Sequence, residues 1–127
     1  MKKPWSRALR EKAKHAGAAD PIGTVAFYGP DRSYASKVAV GVSLTAGAPV
    51  DILERWFDKG IDVRVDPQIG AEVKDFLRRH QVRQVVVGDG IIGCPHEEGV
   101  DYPDGDECPE CPWWHGRDRW TGEMLEE

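Results

Sequence analysis

Val38, Val40, Val42 and Leu44 recur at every second position, the period of a strand with one buried face. The segment Gly23 to Tyr28 reads as another strand, and Gly29-Pro30-Asp31-Arg32-Ser33 between them carries turn chemistry. Order is expected to begin near Ile22, with these two strands antiparallel. Farther along, Ile52, Leu53, Trp56 and Phe57 fall at helical spacing within residues 50–58, and Gly60 suits a C-terminal cap. The alternation from Ile61 to Val65 predicts a short strand. Asp66-Pro67 then supplies a capping side chain followed by proline at the first helical position. Ile69, Val73, Phe76 and Leu77 form one apolar stripe behind it, with Lys74, Arg78 and Arg79 outside the stripe and His80 at the helix end, where a cation suits the dipole. The run from Val82 to Val87 has the apolar density of a buried strand. The expected order, β-β-α-β-α-β, describes a small α/β (or α+β) layer with helices against a sheet.

The pattern breaks after Gly88-Asp89-Gly90-Ile91-Ile92-Gly93. Residues 93–122 are rich in Gly, Pro, Asp, Cys and Trp and show little periodicity. A stretch of that length without regular structure is unusual in a compact domain, so something other than secondary structure must order it. All three cysteines of the chain lie there. An odd number fits a disulfide framework poorly, and in a reducing compartment such a cluster reads as a metal site. The order is Cys94-Pro95-His96, then Cys108-Pro109-Glu110-Cys111, then Pro112-Trp113-Trp114-His115. A Cys-Pro-x-Cys turn places two thiolates on one side of a tight loop, and Cys94 and His96 can supply the other half of a tetrahedral zinc site. Cys94, His96, Cys108 and Cys111 are therefore the expected ligands of one structural zinc ion, with His115 the competitor for the histidine position. Iron is disfavoured, because rubredoxin-like chemistry wants four thiolates.

His96-Glu97-Glu98 followed by a Cys-x-x-Cys also invites comparison with zinc deaminases, whose signature is His-x-Glu and Pro-Cys-x-x-Cys. Here Glu107 precedes Cys108, the gap is too short for the intervening strand and helix, and Cys94 would fill the position that water needs. The enzymatic alternative is a metal-assisted hydrolase with a site at Asp89, Glu97 and Glu98 beside the zinc loop. Against it stands the bland reading: Asp89 as a turn residue beside Gly88 and Gly90, and the two glutamates as solvated loop acids.

Charge changes the picture further. The chain has 127 residues, a net charge of −5 and a 40% hydrophobic fraction, the size of one ordinary domain. Residues 1–15 hold six basic side chains and one acid, whereas residues 89–127 hold twelve acids and two arginines. A nucleic-acid-binding zinc module should be basic, so the acidic balance counts against nucleic acid. RNA or single-strand binding through the basic arm and the segment Trp113 to Trp120 is nevertheless a second alternative, since interleaved aromatic and basic residues can stack on bases. The competing reading of that segment is packing over the zinc lobe, with Arg117 and Arg119 paired to nearby acids. No apolar run approaches the ~20 residues of a membrane helix, and no signal peptide is evident, so a cytoplasmic location is expected. The organisation expected is a basic flexible arm at 1–20, an α/β core at 21–90 and a zinc-binding lobe at 91–127 packed on that core.

The run from Ile91 to Pro103, with Cys108-Pro-Glu-Cys111-Pro-Trp and Gly116-Arg-Asp-Arg-Trp-Thr-Gly122, resembles a small family of uncharacterised bacterial proteins. The resemblance extends upstream through Arg55-Trp56-Phe57 and Ile61-Asp62-Val63-Arg64 to Asp66-Pro67. It implies a bacterial, cytoplasmic, single-domain protein, and it supplies no substrate and no mechanism. The expected role is a non-catalytic zinc-stapled module that acts by binding a protein or small-molecule partner.

Overall fold

A computed structural model describes Trp5 and residues 20–45, 49–58 and 60–125, with Asp89 described by its backbone alone. The chain forms an α/β layer. Strands β1 (Ile22–Tyr28), β2 (Lys37–Ser43) and β3 (Ile52–Phe57) lead to helix α1 (Pro67–Arg79) and then to β4 (Gln84–Ile91). The sheet order is β3-β2-β1-β4. β1 runs antiparallel to β2, β2 antiparallel to β3, and β4 parallel to β1. α1 therefore carries the chain from one edge of the sheet to the other.

Two elements depart from the expected β-β-α-β-α-β order. Residues 50–58 contain no helix: Ile52–Phe57 pairs with β2 along its whole length. The apolar spacing that suggested a helix also fits a strand, because residues four apart share a face in either geometry. Ile52 and Trp56 pack against the core, while Leu53 and Phe57 point the other way and are 47% and 60% exposed. Gly60 caps no helix; its N–H donates to Asp58 Oδ1. Residues 61–65 form a turn instead of a strand, closed by Val65 N–H to the Asp62 carbonyl at 3.0 Å and fastened by Val63 N–H to the Ala35 carbonyl at 2.8 Å. β4 is an edge strand, not a strand buried on both faces, and Val86 is 49% exposed. Leu44 lies beyond the end of β2 and is exposed rather than part of its buried face.

α1 begins as expected. The Asp66 carboxylate accepts from the N–H groups of Gln68 (2.9 Å) and Ile69 (3.3 Å), Pro67 opens the first turn, and His80 is the C-terminal cap. Its stripe Ile69, Val73, Phe76 and Leu77 is buried. It lies on the face built by Val25, Phe27, Val38, Val40 and Val42, all at most 1% exposed. Phe76 meets Trp56 edge-on, with ring centroids 5.7 Å apart.

Trp5 corrects the expectation of a solvated arm at its own position. Its indole is buried in the core and packs on Phe27 at 5.7 Å. Its Nε1–H donates to the Val63 carbonyl at 2.7 Å, and its backbone N–H donates to that of Arg64 at 3.1 Å. The other residues of the expected arm, Asp20 excepted, lie outside the described residues. No described helix is long and apolar enough to cross a membrane.

Asp62 ties the turn to the sheet. Its carboxylate accepts from Ala35 N–H at 3.0 Å and from the Arg64 guanidinium at 2.7 and 2.9 Å. Burial opposes its charge, but the Arg64 and backbone hydrogen bonds outweigh that and hold its carboxyl below the usual range. A depressed carboxyl stabilises the fold above its unfolded pKa, and that contribution fades as pH falls toward the folded value. Asp62→Asn is therefore expected to lower the urea midpoint at neutral pH, with the gap to wild type narrowing below about pH 4. Equilibrium unfolding of both proteins across pH checks this; a gap that does not change with pH would contradict it.

Candidate metal centre

After β4 the chain folds back over the end of the sheet where β1 and β4 both terminate. Ile92 N–H donates to the Phe27 carbonyl and Gly29 N–H to that of Gly93, each at 2.9 Å. The Trp114 indole, carried on a short 3-10 turn (Pro112–Trp114), donates to the Gly29 carbonyl at 2.8 Å. In open α/β sheets the carboxyl ends of parallel strands are the usual place for a ligand crevice. Here that end is covered by the lobe.

The lobe brings together four side chains that sequence spacing singled out: Cys94, His96, Cys108 and Cys111, a group that can hold a metal ion. Their donor atoms all lie within 4.8 Å of one another. His96 Nδ1 is 3.3 Å from Cys94 Sγ, 3.4 Å from Cys108 Sγ and 3.5 Å from Cys111 Sγ. Bond lengths of ~2.3 Å to sulfur and ~2.0–2.1 Å to nitrogen at tetrahedral angles put neighbouring S and N donors about 3.6 Å apart. The three nitrogen–sulfur distances therefore come close to those of a tetrahedral site, and the donor chemistry suits a thiophilic cation.

Local sequence explains the convergence. Pro95 makes Cys94-Pro95-His96 a tight turn, in which His96 N–H donates to Cys94 Sγ at 3.2 Å. Pro109 does the same for Cys108 to Cys111, and Trp114 N–H closes onto the Cys111 carbonyl. Glu110, inside that turn, lies with Oε2 2.9 Å from His96 Nε2. A carboxylate there suits an N–H on Nε2, and Nδ1 is the ring nitrogen that faces the three sulfurs, the arrangement that orients histidine ligands in metal sites. His115 faces elsewhere: its Nε2 bonds the Cys108 carbonyl. It braces the cysteine turn from behind.

The thiols are buried or half-buried. Burial, with the neighbouring thiols adding to it, pushes Cys94 far up from the ordinary thiol value, and burial likewise raises Cys111. A metal bound by these thiols would require their deprotonation, so its capture would be coupled to proton release.

The loop between the two half-sites has no element of its own and is held by hydrogen bonds. Glu97 N–H donates to Asp101 Oδ2 (2.7 Å), Gly99 N–H to the Tyr102 carbonyl (2.7 Å) and Gly105 N–H to Glu98 Oε2 (2.8 Å). Gly99 has φ +83°, a left-handed conformation that L side chains rarely adopt, so glycine is favoured at that corner.

Glu97 and Glu98 are thus not simply solvated. Glu98 braces its loop. Glu97 receives Arg55 at 2.8 Å on Oε1, with Lys37 Nζ 3.4 Å from Oε2. Burial works against the Glu97 charge, but the Arg55 hydrogen bond and the Lys37 and Arg55 charges more than offset it and hold its carboxyl below the usual range. The Asp89 side chain lies outside the described residues. Sequence reasoning missed Lys37, Arg55 and Glu110, because nothing in their local context signals a partner forty or more residues away for the first two, and Glu110 reads as the variable position of its turn.

Among the described residues, Arg117 and Arg119 bond to carbonyls rather than to acids. Arg117 donates to Trp113 O (2.7 Å) and Gly122 O (2.9 Å) with its guanidinium 4.1 Å over the Trp113 ring, and Arg119 donates to Ile92 O at 3.0 Å. Trp113 and Trp114 meet edge-on at 4.9 Å, whereas Trp120 is 65% exposed. A cleft of about 420 Å³ opens beside the cysteines, walled also by Glu98, Tyr102 and Trp120. Compared with protein families, curated proteins and solved structures, the chain matches none.

Proposed function

We propose that the chain is a small bacterial, cytoplasmic zinc-binding module in which one zinc ion, held by Cys94, His96, Cys108 and Cys111, is structural, and that the folded lobe serves to bind a partner. The observation that carries this reading is the convergence of a Cys3His set, with each sulfur close to His96 Nδ1. Such a set favours zinc over the hard cations, which want oxygen donors. Four protein donors leave no open coordination position, and catalytic zinc needs one. The same argument weighs against the hydrolase alternative, as does the engagement of Glu97 and Glu98 in holding the lobe in place.

Metal content and thiol protection test it. Protein purified without added metal is expected to carry one zinc per chain, with all three cysteines unreactive until chelation. His96→Ala is expected to lose the metal, while His115→Ala, which removes only a backbone brace, keeps it. Metal-free protein with three freely reactive thiols would overturn the reading, and retention by His96→Ala would remove His96 from the ligand set.

A further inference from the structure

Lys37 is the charged residue that is buried among the described residues, 3% exposed. A buried ammonium is costly unless it is paired and hydrogen-bonded. Lys37 Nζ donates to the Pro95 carbonyl at 3.0 Å and lies 3.4 Å from Glu97 Oε2. It also sits 5.1 Å from the Tyr28 ring centroid and 5.7 Å from that of Phe57, distances at which a ring face attracts a cation. Both polar partners come from the segment that carries two of the metal donors: Pro95 lies between Cys94 and His96, and Glu97 follows His96. Arg55 on β3 grips the same Glu97 from the sheet edge.

The two halves of the donor set are thus held in different ways. The Cys108–Cys111 turn is anchored by Trp114 to Gly29. The Cys94–His96 turn has its entrance pinned by Gly93 to Gly29, and its middle and exit pinned by Lys37. We propose that Lys37 is a positioning residue for the metal centre: with Glu97 and Arg55 it clamps the Cys94–His96 half-site onto β2 at the geometry the other two donors require. This rests on the structural-metal reading above and adds to it a specific mechanical link from sheet to donor set. Linkage makes the coupling reciprocal: metal binding orders the segment that keeps the Lys37 charge paired, so it also protects the β2–β3 pair.

The test uses the full chain, zinc as probe and a chromophoric chelator as competitor. Lys37→Met, which keeps the unbranched apolar stem and removes the ammonium, and Glu97→Gln, at a half-exposed position, are each expected to weaken zinc binding about 10- to 100-fold, the range for groups that orient ligands without touching the metal. The double variant should lose less than the two single losses combined, because Lys37 and Glu97 share one contact. Val40→Ala, a cavity in the same strand, should lower the urea midpoint without weakening zinc binding, which separates positioning from general destabilisation. Should Lys37→Met fail to fold, Glu97→Gln carries the test. Wild-type protein that binds zinc while Glu97→Gln and folded Lys37→Met bind it as tightly would overturn the clamp and leave the metal reading standing. Wild-type protein that binds no zinc would overturn both.

Discussion

Chelating the metal, or replacing Cys108 by serine, is expected to unfold the lobe and to lower the melting temperature of the chain. Among the described residues after Ile91, the buried hydrophobic side chains are Cys108, Cys111 and Trp114, and two of these are proposed ligands. So few apolar groups cannot offset the entropy of ordering the lobe, at roughly 1–2 kcal/mol per residue for the backbone alone. Apparent metal-binding energies of about 10–16 kcal/mol in zinc-finger peptides show what a closed site can contribute, against a whole-domain stability of about 5–15 kcal/mol. Release of the lobe would free Trp114 from Gly29 and Trp113 from Trp114, so tryptophan emission should shift to the red. Limited proteolysis should find new cleavage between residues 94 and 125. Readdition of zinc should reverse both changes for the chelated wild type but not for Cys108→Ser. A melting profile and proteolytic pattern indifferent to chelation and to the substitution would mean that hydrogen bonds and tryptophan packing alone hold the lobe.

Trp5→Ala is expected to cost about 3–5 kcal/mol, the range for truncating a large buried aromatic. The indole fills the space above Phe27 and is held by its Nε1–H bond to Val63. The space exists because residue 70 of α1 is glycine: a Cβ there would lie 2.6 Å from Trp5 Cγ. Gly70→Ala alone should therefore destabilise by about 1–3 kcal/mol through overpacking. In the Trp5→Ala background the clash is gone, and the same change should become stabilising by up to about 1 kcal/mol, because alanine is the better helix former. Urea unfolding of the four proteins in this cycle reads the coupling directly. Additive effects would mean that Trp5 and Gly70 are not in contact.

How much of this was legible beforehand follows from the range of each signal. β2 and α1 announce themselves because the information is local: a period-two valine run for one, a cap, a proline and an i, i+4 stripe for the other. The metal constellation was legible for a related reason. Cysteine and histidine at two short spacings have few other uses in a loop of this composition, and the structure brings those four donors together while turning His115 away. The segment 52–57 was misread because residues four apart share a face in a strand as they do in a helix, and what decides between the two is the unsatisfied edge of β2, which lies outside the segment. The strand expected at 61–65 failed likewise: its alternation is real, but Asp62 spends its carboxylate on Ala35 and Arg64, and the backbone turns there.

Trp5, Lys37 and Glu110 mark the limit of local reading. A tryptophan in a basic, alanine-rich stretch carries no mark of the glycine at residue 70, more than half the chain away in sequence, that makes room for it. A lysine at the start of a strand reads as solvent-facing until a carbonyl, a carboxylate and two rings are found around its ammonium. Short-range chemistry, meaning period, capping and ligand type, is written along the chain, and it established the α/β class and the candidate ligands. Partners of buried groups are set by which distant surfaces meet, and only the folded arrangement decided which charges are satisfied, which histidine turns to the sulfurs and what holds the lobe to the sheet.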